Sequence, residues 1–383
     1  MKKGKSRLDD HETFSRFHFS SISLFHFYNM TAKTNLKKST EPLSCSSETS
    51  LTKVQLLELY RFVKMTRMFD EKTVVLKRQS KLTGGVFTSL GQEATAVGTA
   101  FALENQDFIA PLIRDIGAVF VKGILPRTIF AQYLGRANAP SRAADVQFHF
   151  ADLEKGFVGP ISHLGDMIPV MTGILIAARM KRENRVAVAY VGDGTTSTGT
   201  FHEGVNFAAV QKLPLITIIE NNGYAYSTPT RLQTAAANFV DKAVGYGIKG
   251  LSVDGNDIVA CYEIMKEAVE YARRGSGSVL IEAHTYRRKG HAEHDNQSYV
   301  PEGEIEFWAK NNDPIDRYER FLREEKIAWQ EELNEIVSEV EKYLSDELAI
   351  AENAPFPEGI TAAYNVFDNS IVAPALKKKV LEK

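Results

Sequence analysis

Two short apolar runs, each closed by a polar cluster, constrain this chain more than anything else in it. Residues 186–191 stop at Gly192-Asp193-Gly194, and residues 215–219 stop at Glu220-Asn221-Asn222-Gly223, with a helical pattern between them. Apolar runs of this length without polar alternation read as parallel strands covered on both faces, and a crossover helix is what joins such neighbours. In open parallel sheets ligands sit outside the carboxyl ends of the strands. Asp193 and Asn222 both fall there. A carboxylate and an amide oxygen converging on one spot are hard ligands of the kind Mg2+ takes when phosphate oxygens complete its shell. Thr200-x-x-Glu203 is expected to open the intervening helix as a capping box, with its first amides toward the same crevice.

Taken singly, each motif has an ordinary reading. Gly-Asp-Gly makes turns, and Asn-Asn-Gly makes left-handed turns. A dinucleotide fold is a rival for the pair, because Gly192-x-Gly194-x-x-Ser197 after a strand approximates the Rossmann fingerprint and Glu220 could stand in for its ribose-binding acid. Against it, Ser197 stands where the third glycine should be, and the Asn pair has no role.

Together the two motifs resemble the thiamine diphosphate signature, with Asn222 lying 29 residues beyond Asp193 (222 − 193). The wider text, GDGTTSTGTFHEGVNFAA, LPLITIIENNGYAYSTP, VDGND and IEAHTYRRKGH, resembles the alpha subunit of the decarboxylating component of 2-oxo acid dehydrogenase complexes. The likeness covers about residues 52–350. It implies an α/β fold, a mostly parallel sheet with helices on both faces that binds thiamine diphosphate, followed by charged C-terminal helices. It also implies oxidative decarboxylation of pyruvate or a branched-chain 2-oxo acid, with acyl transfer to a lipoyl domain.

Residue by residue, the resemblance assigns Mg2+ to Asp193, Asn222 and the main-chain carbonyl of Tyr224. It places thiamine diphosphate against Arg114, Ser162, Leu164, Gly192, Asp193, Gly194, Thr195, Asn222, Tyr224, Arg287 and His291. His291 is the catalytic candidate, supplying a proton as the acyl group passes to lipoamide, a task suited by a pKa near neutrality. Without the resemblance, Arg114 reads as a surface partner of Asp115 or Asp107, Arg288 and Lys289 as a solvated basic loop, and His163 as a loop histidine. A zinc site at His291-x-x-His294 lacks helical His spacing and a third ligand. Three positions depart from the family pattern: Ile113 where relatives often carry tyrosine, Ala292 where many eukaryotic relatives carry a phosphorylatable serine, and Val300 in place of a common basic residue.

Thiamine chemistry needs a carboxylate to protonate the aminopyrimidine ring, and no candidate for it stands in the sequence. The resemblance implies that it comes from a beta subunit in an alpha2beta2 heterotetramer, with a lipoyl-bearing acyltransferase as the further partner. Acetoin is an alternative substrate. An NAD-binding oxidoreductase and a non-catalytic assembly subunit are the rivals from other classes.

The remaining features bound the class. A chain of 383 residues with 44% hydrophobic and 25% charged residues is ordinary for a globular protein, and a net charge of −2 gives no electrostatic case for nucleic acid. No run of eighteen apolar residues suggests a membrane span. Cys45 and Cys261 build neither a zinc cluster nor a disulfide framework, which makes a reducing cytoplasm the expected compartment. Residues 1–50, basic and then aromatic but broken by His and Ser, are expected to form a disordered or loosely docked arm. Translation from Met30 is an alternative. The cofactor-binding domain is expected over 51–350 and a tail over 351–383. Within the domain, Thr52-x-x-Gln55 opens a packing helix, Asn256 or Asp257 caps another, and Leu333, Ile336, Val340 and Leu344 form the apolar stripe of a charged helix.

Overall fold

The computed structural model describes residues 45, 46 and 49–363. The arm expected over 1–50 lies outside them apart from residues 45, 46, 49 and 50, as does the tail beyond 363. Among the described residues there are seven strands: β1 Phe108–Ala110, β2 Ala187–Gly192, β3 Leu215–Asn221, β4 Tyr224–Ala225, β5 Thr228–Pro229, β6 Lys249–Asp254 and β7 Val279–His284. The α-helices are α1 Lys53–Arg78, α2 Glu93–Phe101, α3 Ile116–Val121, α4 Pro126–Tyr133, α5 Met167–Met180, α6 Gly199–Val210, α7 Lys242–Tyr246, α8 Ile258–Arg273, α9 Glu304–Asn311, α10 Pro314–Glu324 and α11 Gln330–Asn353.

Five strands form one sheet in the order β1-β2-β3-β7-β6, and every pairing in it is parallel. The two apolar runs are its centre. Because successive side chains point to opposite faces, Val188, Tyr190, Ile216 and Ile218 enter one core, shared with α1, α2 and α8. Their neighbours Ala187, Ala189, Val191, Leu215 and Ile219 enter a second core against α5 and α6. Each fully buried aliphatic side chain contributes about 1.5–3 kcal/mol, so both faces drive the unit together. The expected sheet, covered on both sides, is the observed one. β4 and β5 form a separate hairpin just past the end of β3.

Several local expectations hold. The Thr52–Gln55 capping box opens α1. Asp257 is the cap of α8, accepting from the amides of Val259 and Ala260 at 3.1 and 3.0 Å. Small residues let α2 and α8 touch: a Cβ at Gly98 would stand 2.6 Å from the Ile258 carbonyl oxygen and 2.8 Å from Cβ of Cys261. Leu333, Ile336, Val340 and Leu344 are all buried. α11 runs to Asn353, past the boundary expected at 350.

The start of α6 differs from expectation. Thr198, not Thr200, is the N-cap, its hydroxyl accepting from the Phe201 amide at 3.3 Å. A 3-10 turn, Asp193–Ser197, comes after β2 and leaves Thr198 extended, so the helix begins at Gly199, two residues before the expected start, and Thr200 already lies inside its first turn. Glu203 stays exposed. Among the described residues no helix is long and apolar enough to cross a membrane.

Candidate active site

The pairing register levels the strand ends: Gly192 lies opposite Glu220, Glu220 opposite Ala283, and Asn221 opposite His284. Every residue just beyond these positions, and beyond β1, therefore emerges at one edge of the sheet. From β1 comes Arg114, from β2 Asp193, from β3 Asn222 and Tyr224, and from β7 Arg287 and His291.

Asp193 and Asn222 are 2% and 6% exposed. Burial pushes the Asp193 carboxyl up to about 6, opposed by the donor of Gln233, whose Nε2 lies 2.8 Å from Oδ2. A buried carboxylate in that condition is stabilised by a cation. Asn222 accepts at Oδ1 from the Tyr224 amide at 3.3 Å and donates from Nδ2 to Gln92 Oε1 at 2.9 Å. Only glycine fits at 194: a Cβ there would meet the Cβ of Ala225 at 2.5 Å. That contact brings the turn after β2, with Thr195 buried in it, against the β4–β5 hairpin that presents the Tyr224 carbonyl.

Cationic groups converge beside these oxygens. Arg287 is 3% exposed and donates to the carbonyls of Tyr224 (3.4 Å), Tyr226 (2.6 Å) and Lys289 (3.0 Å) and to the Tyr299 hydroxyl (2.7 Å). Arg114 donates to the His291 carbonyl and lies over the Phe87 ring, while its Nε is buried without a partner. Burial and then the charge of Arg287 lower Arg114 to about 10. His291, between the rings of Phe87 and Tyr226, is lowered to about 4 by burial and then by the two arginines. In the chain as it stands its imidazole is neutral, well below the near-neutral pKa expected for it. Three positive or potentially positive groups held within each other's field form a site for an anion.

Two ordinary readings fall. Arg114 pairs with neither Asp115 nor Asp107; Asp107 takes Arg273 instead, at 2.6 Å. Arg288 is not a solvated loop cation, because it is bound to Asp313 at the start of α10, beside Arg67 and the buried Glu93. Lys289 and His163 are exposed, as read.

Ser162 and Leu164 lie on an exposed loop that packs across the start of α6, where Thr200 donates to the Leu164 carbonyl at 3.3 Å. Leu164 borders Pro111, Leu112, Tyr190 and Val191, the ends of β1 and β2. Ser162 opens into a groove of about 570 Å3 walled by Phe150, Val158, Ile161, Met167 and Val170. The structure thus brings the expected residues to one edge in two parts: a buried polar cluster, and an apolar loop facing outward.

The family described as dehydrogenase E1 component matches residues 60–359. The chain belongs to the dehydrogenase E1 component family. Within it, the chain is 37% identical over 309 residues to the 2-oxoisovalerate dehydrogenase subunit alpha of Bacillus subtilis, covering 80% of this chain and 93% of that one. It is 35% identical to the alpha subunit of the acetoin:2,6-dichlorophenolindophenol oxidoreductase of the same organism, with 81% and 92% covered. It is 32% identical to the pyruvate dehydrogenase E1 component subunit alpha of Rhizobium meliloti, with 85% and 94% covered. The dinucleotide fingerprint is thereby displaced as the reading of Gly192-Asp193-Gly194.

The residues fit the cofactor this E1 family uses. Arg114 Nε, Gln92 Nε2 and Glu220 Oε1 are buried polar atoms without partners around the strand ends, and the donor set matches Mg2+ chemistry: one carboxylate, one amide oxygen and one carbonyl. Among the described residues no three His, Cys, Asp or Glu side chains gather for a metal. Sequence reasoning misses Gln92, Gln233, Phe87, Tyr226 and the Asp115–Glu220 pair. Those two carboxyls lie in each other's field, each about 1% exposed, and burial raises both. Only Gln92, in a Gly-Gln-Glu run opening a helix, carries a local signal.

Proposed function

We propose that this chain is the alpha subunit of a thiamine diphosphate- and Mg2+-dependent 2-oxo acid dehydrogenase, acting on pyruvate or a branched-chain 2-oxo acid and passing the acyl group to the lipoyl domain of an acyltransferase. The observation that carries the reading is the convergence, at one sheet edge, of Asp193, Asn222 and the Tyr224 carbonyl with Arg114, Arg287 and His291. The first three would hold Mg2+; the second three would face the diphosphate. When bound, the cofactor supplies the carbanion-stabilising ring on which a 2-oxo acid loses carbon dioxide. The chain's own part is to bind the charged end and to hold a proton-transfer group at His291, against which the Phe87 and Tyr226 rings pack.

The remaining chemistry is assigned to a beta subunit. Of the carboxylates at this edge, Glu93 is tied to Arg67 and to the Gly91 amide, Asp115 takes the Leu112 amide, Glu220 is buried in the field of Asp115, Asp295 takes the His291 amide and the Tyr299 hydroxyl, Glu304 takes the Tyr224 hydroxyl, and Asp193 is assigned to the metal. Each of these described carboxylates already has a role, which supports assigning the group that protonates the aminopyrimidine to the partner. The outward apolar groove at Ser162 supports the same conclusion, since it offers a partner chain a wall of the site. The two free cysteines, Cys45 and Cys261, suit the cytoplasm. Co-purification with the beta partner, then a substrate panel of pyruvate, branched-chain 2-oxo acids and acetoin with thiamine diphosphate and Mg2+, tests the proposal. Asp193→Ala should abolish Mg2+-dependent cofactor binding; retained binding overturns the metal assignment, and turnover of acetoin alone overturns the substrate class.

A further inference from the structure

Both side chains assigned to the metal are gripped by a glutamine carboxamide from outside the β2-α6-β3 unit. Gln92 Oε1 takes the Nδ2 proton of Asn222 at 2.9 Å, and Gln233 Nε2 donates to Oδ2 of Asp193 at 2.8 Å. The directions of these bonds are determined. The Tyr224 amide can only donate, so the Asn222 oxygen lies on its side and the nitrogen must face Gln92. Gln233 faces a carboxylate, so it must donate.

Neither glutamine is explained by its local role. Gln92 sits at the N-cap position of α2 but makes no capping bond there, and it is 2% exposed with Nε2 unpartnered. Its backbone is fixed by the Ser89 carbonyl at 2.7 Å, and the next residue, Glu93, is held by Arg67. The Gln233 carboxamide is anchored from the other side, Nε2 lying 2.9 Å from the Thr228 carbonyl of the hairpin.

We propose that Gln92 and Gln233 are positioning residues for the metal, Gln92 acting as an acceptor that turns the Asn222 oxygen toward the cation and Gln233 as a donor that holds the plane of the Asp193 carboxylate. This rests on the metal reading above. A held carboxylate offers one oxygen in a set direction, which suits the octahedral shell of Mg2+; a carboxylate free to rotate can bind through both oxygens, which suits Ca2+.

The test uses the chain co-purified with its beta partner, Mn2+ as a spectroscopic probe in the presence of thiamine diphosphate, and Mg2+ or Ca2+ as competitors. Gln92→Met should weaken Mn2+ roughly 10- to 100-fold, the usual loss when a ligand's partner is removed, and Gln92→Glu, which keeps the acceptor, should recover most of it. Gln233→Met should weaken Mn2+ similarly and narrow the preference for Mg2+ over Ca2+. Equal weakness in Gln92→Met and Gln92→Glu overturns the acceptor role, and unchanged affinity and preference in Gln233→Met overturn the donor role. Asp193→Ala separates the two levels: if it still binds Mn2+, the metal reading fails; if it does not while both Met variants bind normally, the positioning inference alone fails. Gln233 is half-exposed, so its variant carries the test even if the buried Gln92→Met does not fold.

Discussion

The guanidinium of Arg114 donates from Nη2 to the main-chain carbonyl of His291, tying the turn after β1 to the loop after β7. One residue thus serves two ends of the site: a loop held through that bond, and an unpartnered Nε left for an oxyanion. Lysine keeps the charge but not the fork. Arg114→Lys is expected to lower thiamine diphosphate affinity at least tenfold, about 1.4 kcal/mol, in fluorescence titration. Amide exchange across residues 286–300 should also quicken in the cofactor-free protein. Lowered affinity with unchanged exchange would leave Arg114 as a phosphate ligand only.

His291 is half-buried beside Arg114 and Arg287, and its pKa is lowered from 6.5 to about 4. The unfolded chain therefore binds a proton between those values that the folded one refuses. Stability from this group is accordingly present above pH 6.5 and is lost as pH falls toward 4. His291→Gln should flatten that acid limb in urea titrations. The same variant should spare decarboxylation, assayed with an artificial acceptor, while slowing lipoyl acylation by about 100-fold or more. An unchanged overall rate would remove the catalytic role.

Asp70 behaves in the opposite sense. It is buried in α1, accepts from the Ser89 amide at 2.6 Å, and burial raises it from 3.8 to about 7. The folded state now holds the extra proton, so its relative stability falls as pH rises from 3.8 through 7. Asp70→Asn, which keeps an acceptor for Ser89 and carries no charge, should remove a loss on the order of 2–3 kcal/mol between about pH 5 and pH 8. Parallel urea midpoints of variant and parent across that range would contradict it.

How far the sequence can be read depends on how far apart the interacting residues lie. The strands are legible because unbroken apolar runs leave few choices, and once both run parallel, Asp193 and Asn222 have to emerge together. Arg288 reads as solvated because its partner Asp313 lies 25 positions on, at a helix start with no pattern linking the two. Gln92 and Gln233 meet their partners across 130 and 40 positions, and only folding reveals such pairs. Thr198 escapes notice for a different reason: Thr200 alone has the Thr-x-x-Glu pattern of a capping box, and the 3-10 turn that moves the cap to Thr198 is not encoded in it.

That choice of cap is itself testable. The Thr198 hydroxyl accepts from the Phe201 amide at the start of α6 and donates to the Thr195 carbonyl at 2.9 Å, so it joins the helix to the turn that carries Asp193. Thr200 donates outward, to Leu164, and its hydroxyl lies 3.3 Å from that of Thr198 without touching the Phe201 amide. Thr198→Ala should cost about 1 kcal/mol, the usual loss of an N-cap, and should weaken Mg2+-dependent cofactor binding because the turn is no longer held. Thr198→Ser should restore both. Thr200→Ala should stay within about 0.5 kcal/mol of the parent, as surface changes do, with binding intact. Urea unfolding and cofactor titration on the three variants decide it, and a larger cost at Thr200 than at Thr198 would return the cap to the capping-box position.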